Sequence, residues 1–226
     1  MIDNAKQISR RRLGLLTAGF LVGSRVRPAR ADDGWHNIDV TGTSMPLQFS
    51  MTRARDARHV TQADYRGNIV LLYFGYTFCP DVCPLTLTNL TRVLDRLGKR
   101  AAHVRILFVT VDPNRDSLAV LRQYAAAFAP QVDALRGTPD ELAALARRYR
   151  IAYSVTPASA GHPYEVTHSS AIYAFDASGA ARLLIPSMAS RSPDIDGTAT
   201  DVGRLISGAP PPGIASRMFE EVLRLI

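Results

Sequence analysis

The sequence predicts an α/β fold with a central mixed β-sheet flanked by helices, and three features carry that prediction. Two apolar runs, Ile69-Val70-Leu71-Leu72-Tyr73-Phe74 and Val104-Arg105-Ile106-Leu107-Phe108-Val109-Thr110-Val111, read as buried strands, and each precedes a segment with helical character. Two later apolar stretches, 170–175 and 180–185, flank Asp176-Ala177-Ser178-Gly179 and read as a hairpin. The order strand, helix, strand, helix, strand, helix, hairpin, helix suits one sheet covered on its faces.

Each element has a local reason. Residues 35–52 are mixed and polar with short alternating pieces, and read as an N-terminal extension compatible with a hairpin. Gly67-Asn68 is a turn that delivers the chain into the first core strand. Leu85, Leu87, Leu90, Val93, Leu94 and Leu97 recur at helical spacing, and Gly98 closes that helix. Asp112-Pro113-Asn114-Arg115-Asp116 is a loop capping a helix over about 117–128. A short strand at 132–135 precedes a helix over 139–149 with Pro139 in its first turn. Residues 156–168, rich in Pro, Gly, Ser and Ala, read as a long loop, and a last helix is expected over 200–207.

The ends differ from the middle. The chain has 226 residues and a net charge of +7, but seven of its basic residues and only Asp3 among its acids fall in the first 31. The remainder carries 20 basic and 19 acidic residues, so the basicity belongs to the leader and gives no nucleic-acid signal. Ser9-Arg10-Arg11-Arg12-Leu13 followed by a short apolar core resembles a twin-arginine export signal, with Ala29-Arg30-Ala31 at the expected cleavage position. An uncleaved membrane anchor is the alternative. The absence of a cysteine near that point argues against a lipoprotein. The expected organisation is therefore a signal peptide over 1–31, one domain over 32–208, and a Pro-rich linker with a short amphipathic tail over 209–226. Export places the domain in the periplasm, where disulfides persist.

The chemistry centres on the only two cysteines, Cys79 and Cys83, in Tyr76-Thr77-Phe78-Cys79-Pro80-Asp81-Val82-Cys83-Pro84. They fall at the carboxyl end of the first core strand, where functional loops of such sheets gather, and at the mouth of a helix, where a thiolate is favoured. Four steps along a helix would put both on one face with a rise of roughly 6 Å. That is near the wide limit of about 6.8 Å for a disulfide. Closing so short a loop would stabilise the fold by only about 2 kcal/mol, so a structural staple explains the pair poorly.

A redox dithiol and a pair of metal ligands remain. Thiolates are soft donors that suit Cu(I), whereas structural zinc wants four ligands. A third ligand would come from His36, His59, His103, His162 or His168, or from one of five methionines. On position alone, His168 is most simply a structural residue at the entrance of a core strand. It meets the cysteines only if that strand runs antiparallel to the first, which is the expected arrangement.

Three segments resemble the Sco/SenC family of copper-binding assembly proteins: Tyr73-Phe74-Gly75-Tyr76-Thr77-Phe78-Cys79-Pro80-Asp81-Val82-Cys83-Pro84, Val109-Thr110-Val111-Asp112-Pro113-Asn114-Arg115-Asp116, and Thr167-His168-Ser169. The resemblance implies a thioredoxin-like fold in which Cys79, Cys83 and His168 bind copper, as Cu(I) or Cu(II). It implies delivery of that copper to the binuclear copper site of cytochrome c oxidase. The partners would be the copper-receiving oxidase subunit and other periplasmic copper carriers or thiol reductants. The chain departs from the family pattern at Phe78, where His is usual, and at Thr167, where Asp is frequent. Loss of a carboxylate beside the imidazole would retune metal binding. The rival reading is a thiol–disulfide oxidoreductase using Cys79 and Cys83 to keep the oxidase cysteines reduced. A copper or redox sensor is a third class. A peroxidase is disfavoured, because no Thr and Arg set surrounds a single cysteine.

Overall fold

A computed structural model of the chain describes residues 34–186 and 188–208. The expected signal peptide over 1–31 and the tail over 209–226 lie outside the described residues. Ten strands and four α-helices form among the described residues. Strand β4 (Ile69–Gly75) pairs in parallel with β5 (Val104–Thr110), and β5 in parallel with β6 (Val132–Arg136). On the other side of β4 runs β9 (Ile172–Phe175), antiparallel as expected, followed by its hairpin partner β10 (Ala181–Ile185) and the short β1 (Ile38–Asp39). Beyond β6 the sheet ends with β2 (Ser50–Arg53) and β3 (His59–Thr61), both antiparallel. The result is a mixed eight-stranded sheet.

The burial of β4 explains the layers. All seven of its residues are buried, and strand alternation sends Ile69, Leu71 and Tyr73 to one face and Val70, Leu72 and Phe74 to the other. The first face packs on α1 (Val82–Leu97), α2 (Leu118–Ala126) and α4 (Ile195–Ile206) through Leu87, Leu90, Val93, Leu121, Val202 and others. The second face packs on α3 (Pro139–Arg148) and the N-terminal segment through Leu142, Leu145, Leu47 and Phe49. Each fully buried Leu, Val or Phe stabilises the fold by about 1.5–3 kcal/mol. That burial holds the first core strand as a rigid base under the cysteine turn.

Several boundaries differ from the sequence reading. The N-terminal hairpin is formed by β2 and β3 and so runs to Thr61, whereas residues 38–39 cross to β10 instead. Helix α4 begins at Ile195, not near 200, because the Asp194 side chain accepts a hydrogen bond from the Gly197 N–H and caps it. Helix α2 is shorter than expected, ending at Ala126 after a Ser117 cap. The loop expected over 156–168 contains half of a separate ribbon, β7 (Tyr153–Thr156) against β8 (Glu165–His168). Among the described residues no helix is long and apolar enough to cross a membrane.

Candidate metal centre

Strand β4 ends at Gly75, and the next residues turn sharply toward α1 at the carboxyl edge of the sheet. Cys79 lies in this turn, not on the helix. The reason is local: Cys79 precedes Pro80, and a residue before proline is pushed out of the α region. Helix α1 starts at Val82, so Cys83 occupies its first turn. The expectation that both cysteines share one helical face is therefore corrected. They meet because Cys79 folds back over the helix start, where its Sγ accepts a hydrogen bond from the Cys83 N–H at 3.4 Å. Asp81 is the N-cap residue, but its carboxylate makes no capping hydrogen bond, so Cys79 serves one of the free helix N–H groups.

His168 is the last residue of β8, four positions before a core strand that begins at Ile172. The antiparallel run of β9 beside β4 returns this stretch to the carboxyl edge of β4. The imidazole Nε2 lies 3.3 Å from Cys83 Sγ. Ligand atoms of Cys79, Cys83 and His168 all fall within 4.8 Å of one another. Among the described residues this is the single cluster of three or more His, Cys, Asp or Glu groups able to hold a metal ion.

The other candidate ligands stand elsewhere. His36 pairs with Asp194 at 3.5 Å, His59 bonds Ser50 at 2.7 Å, and His162 forms a backbone bridge to Ser159. His103 precedes β5 and so lies at the opposite edge of the sheet. Met51 and Met188 are buried core side chains.

The imidazole is oriented without a carboxylate. Its Nδ1 lies 3.0 Å from the Ser169 carbonyl oxygen, which can only accept, so Nδ1 carries a proton and the ring is held with Nε2 toward the sulfurs. Tyr73 and Tyr76 hold the ring edge-on at 6.2 and 5.7 Å between centroids. Thr167, in the position where a carboxylate was expected to matter, points to the opposite face of the ribbon and pairs with Ser154 at 2.8 Å. The sequence reading missed Ser169 because a backbone carbonyl has no residue-type signal.

The two thiols are unequal. Both are free, Cys79 partly exposed and Cys83 fully buried. The Cys83 S–H hydrogen bond to Cys79 is the largest influence on Cys79. With His168 and the N–H groups of Asp81 and Cys83 it outweighs burial and draws the Cys79 thiol down to about 3. The same hydrogen bond, with burial, pushes the Cys83 thiol up. The half-exposed sulfur is thus biased toward the thiolate and the buried one toward the protonated thiol. Two soft sulfurs and one imidazole nitrogen suit copper better than zinc, which would require a fourth ligand.

Fold and site together define a thioredoxin-like domain that gathers two cysteines and one histidine at the edge of its sheet. The SCO1/SenC family model matches residues 41–201, and the chain belongs to that family. The mitochondrial SCO2 homologue of Bos taurus is 42% identical over 120 residues, covering 52% of this chain and 45% of the relative. The human mitochondrial SCO1 homologue is 36% identical over 127 residues, covering 55% and 42% respectively. The chain thus spans less than half the length of these relatives. Among solved structures, copper-bound ScoI of Bradyrhizobium japonicum matches with a TM-score of 0.63 and 31% identity, over 72% of this chain and 99% of that one. Copper-bound yeast Sco1 gives 0.63 and 30%, over 74% and 91%.

Proposed function

We propose that this protein is an exported copper carrier that binds one copper ion through Cys79, Cys83 and His168 and delivers it to the binuclear copper site of cytochrome c oxidase. The observation that carries the reading is the convergence within 4.8 Å of three metal donors, two on the cysteine turn and one 85 residues beyond Cys83. Copper in the related ScoI and Sco1 structures supports the same cargo here. Both sulfurs as thiolates and the Nε2 lone pair would hold the ion, with Cys79, the more exposed of the two sulfurs, as the ligand an incoming donor reaches first. Release then proceeds by ligand exchange onto the copper-receiving oxidase subunit. Other periplasmic copper carriers and thiol reductants would load the site and keep it reduced. An external disulfide could accept two electrons from the copper-bound thiolate pair, its own S–S bond breaking to two thiolates as the Cys79–Cys83 bond forms, and the metal would be released. The organisation proposed with this role is an export leader over 1–31, the copper domain over 32–208 and a linker and tail over 209–226.

A second reading rests on the inequality of the two thiols. A half-exposed sulfur biased toward the thiolate beside a buried thiol is also the arrangement of a dithiol reductant. Cys79 would attack one sulfur of a client disulfide and expel the other as a thiolate. Cys83 would then give its proton to that leaving group and attack Cys79, leaving a reduced client and an oxidised Cys79–Cys83 pair. Replacing His168 with Ala separates the readings. Copper transfer to the receiving subunit lost with thiol reductase activity retained supports the carrier. Oxidase assembly that survives the substitution intact would favour the reductant.

A further inference from the structure

Resting on the proposal that His168 is a copper ligand, we infer that Tyr164, Asp112 and Arg115 form a latch that positions the histidine-bearing ribbon against the cysteine turn. The loop 112–116 follows β5 at the same edge of the sheet and touches both halves of the site. On the cysteine side, the Asp116 carboxylate accepts hydrogen bonds from the Thr77 N–H at 3.1 Å, the Thr77 hydroxyl at 2.5 Å and the Thr110 hydroxyl at 2.5 Å. Thr77 stands two residues before Cys79. On the histidine side, the hydroxyl of Tyr164, four residues before His168 and immediately ahead of β8, donates to Asp112 Oδ1 at 2.7 Å.

Arg115 closes the arrangement. Its guanidinium pairs with the fully buried Asp112 and lies 3.9 Å from the Tyr164 ring centroid. It also lies 4.8 Å from the ring of Phe78 and 5.8 Å from that of Tyr76, both on the cysteine turn. One cation is thereby stacked between the two segments that supply the ligands, and Phe78, 55% exposed, becomes a stacking surface. A planar guanidinium fits this role and an ammonium does not. The ribbon has no pairing with the main sheet. The Tyr73 and Tyr76 rings beside His168 and the burial of Val166 hold the end of β8, and the latch ties its start to the site edge. These three are positioning residues: they act through His168 and do not touch the metal.

Tyr164→Phe removes only the hydroxyl and leaves the Asp112–Arg115 pair in place. Two measurements on the full chain decide the matter. In the reduced metal-free protein, amide hydrogen exchange over 165–168 should accelerate about tenfold, as expected for losing one hydrogen bond to a charged group. Unchanged exchange there overturns the latch. Cu(I) affinity, read by competition with a chromophoric chelator, is then compared in wild type, Tyr164→Phe, His168→Ala and the double variant. Tyr164→Phe should weaken binding about three- to tenfold when His168 is present and have no effect in the His168→Ala background. Equal weakening in both backgrounds overturns the positioning role. Arg115→Lys should reproduce the tyrosine variant, since it keeps the charge and loses the stack. If His168→Ala alone leaves copper affinity unchanged, the ligand assignment fails, and the exchange measurement still judges the latch by itself.

Discussion

Gly75 is where fold and site press hardest on one another. It ends β4 under the cysteine turn, and a Cβ added there would meet Phe108 Cε2 at 2.6 Å, Cys83 Sγ at 2.9 Å and Phe108 Cζ at 3.2 Å. Neither neighbour can step aside. Phe108 is fully buried in the central strand β5, and Cys83 is fixed by the first turn of α1. Gly75→Ala must therefore shift the ring, the sulfur or both. Overpacking of this kind costs about 1–3 kcal/mol, and a cost of about 2 kcal/mol would lower Tm by roughly 4–8 °C in a domain of this size. The displaced sulfur should also weaken Cu(I) binding by about threefold or more. Denaturant unfolding of the metal-free protein gives the first quantity and chelator competition the second. A variant with wild-type stability and wild-type affinity would show that Cys83 is not clamped between Gly75 and its helix, and the packing argument would be wrong.

Other perturbations probe separate parts of the account. The depressed Cys79 thiol keeps its charge as pH falls from 8 to 5, so its alkylation by iodoacetamide should stay fast and nearly flat across that range. The ordinary thiol would lose its thiolate as pH drops below 9, so Cys83→Ala, which removes the S–H donor, should make Cys79 alkylation fall at least about tenfold by pH 5. Asp116→Ala leaves the Thr77 and Thr110 donors without a carboxylate and should destabilise the protein by about 2–4 kcal/mol, measured by its urea midpoint. Thr167→Asp should change Cu(I) affinity by less than about threefold, because the side chain leaves the ribbon on the face away from the imidazole. A larger gain would mean the ribbon reorients to bring the carboxylate to His168.

Much of this architecture is legible in the residues. The near-continuous apolar runs of β4 and β5 mark strands buried on both faces, and Asp176-Ala177-Ser178-Gly179 marks the β9–β10 hairpin, because periodicity and turn chemistry are local signals. The ribbon of β7 and β8 is not legible. Its sequence is broken by Pro157, Gly161 and Pro163, and only the pairing of 153–156 with 165–168 makes strands of it. The same limit applies at β2, whose partner β3 lies across a charged turn over 54–58. At the site, residue type and position gave the two cysteines, and the family motif singled out His168 from five histidines. The proton on Nδ1, the unequal thiols and the grip of Asp116 on Thr77 depend on distances between segments, and no spacing along the chain encodes them.

The central claim is that two sulfurs and one imidazole form a single copper site, and copper content of the reduced full chain tests it most directly. Wild type should retain about one copper ion per chain after desalting, Cys83→Ala should retain almost none, and His168→Ala should hold copper more weakly with an altered sulfur-to-copper absorption. Equal copper in wild type and Cys83→Ala would contradict the claim.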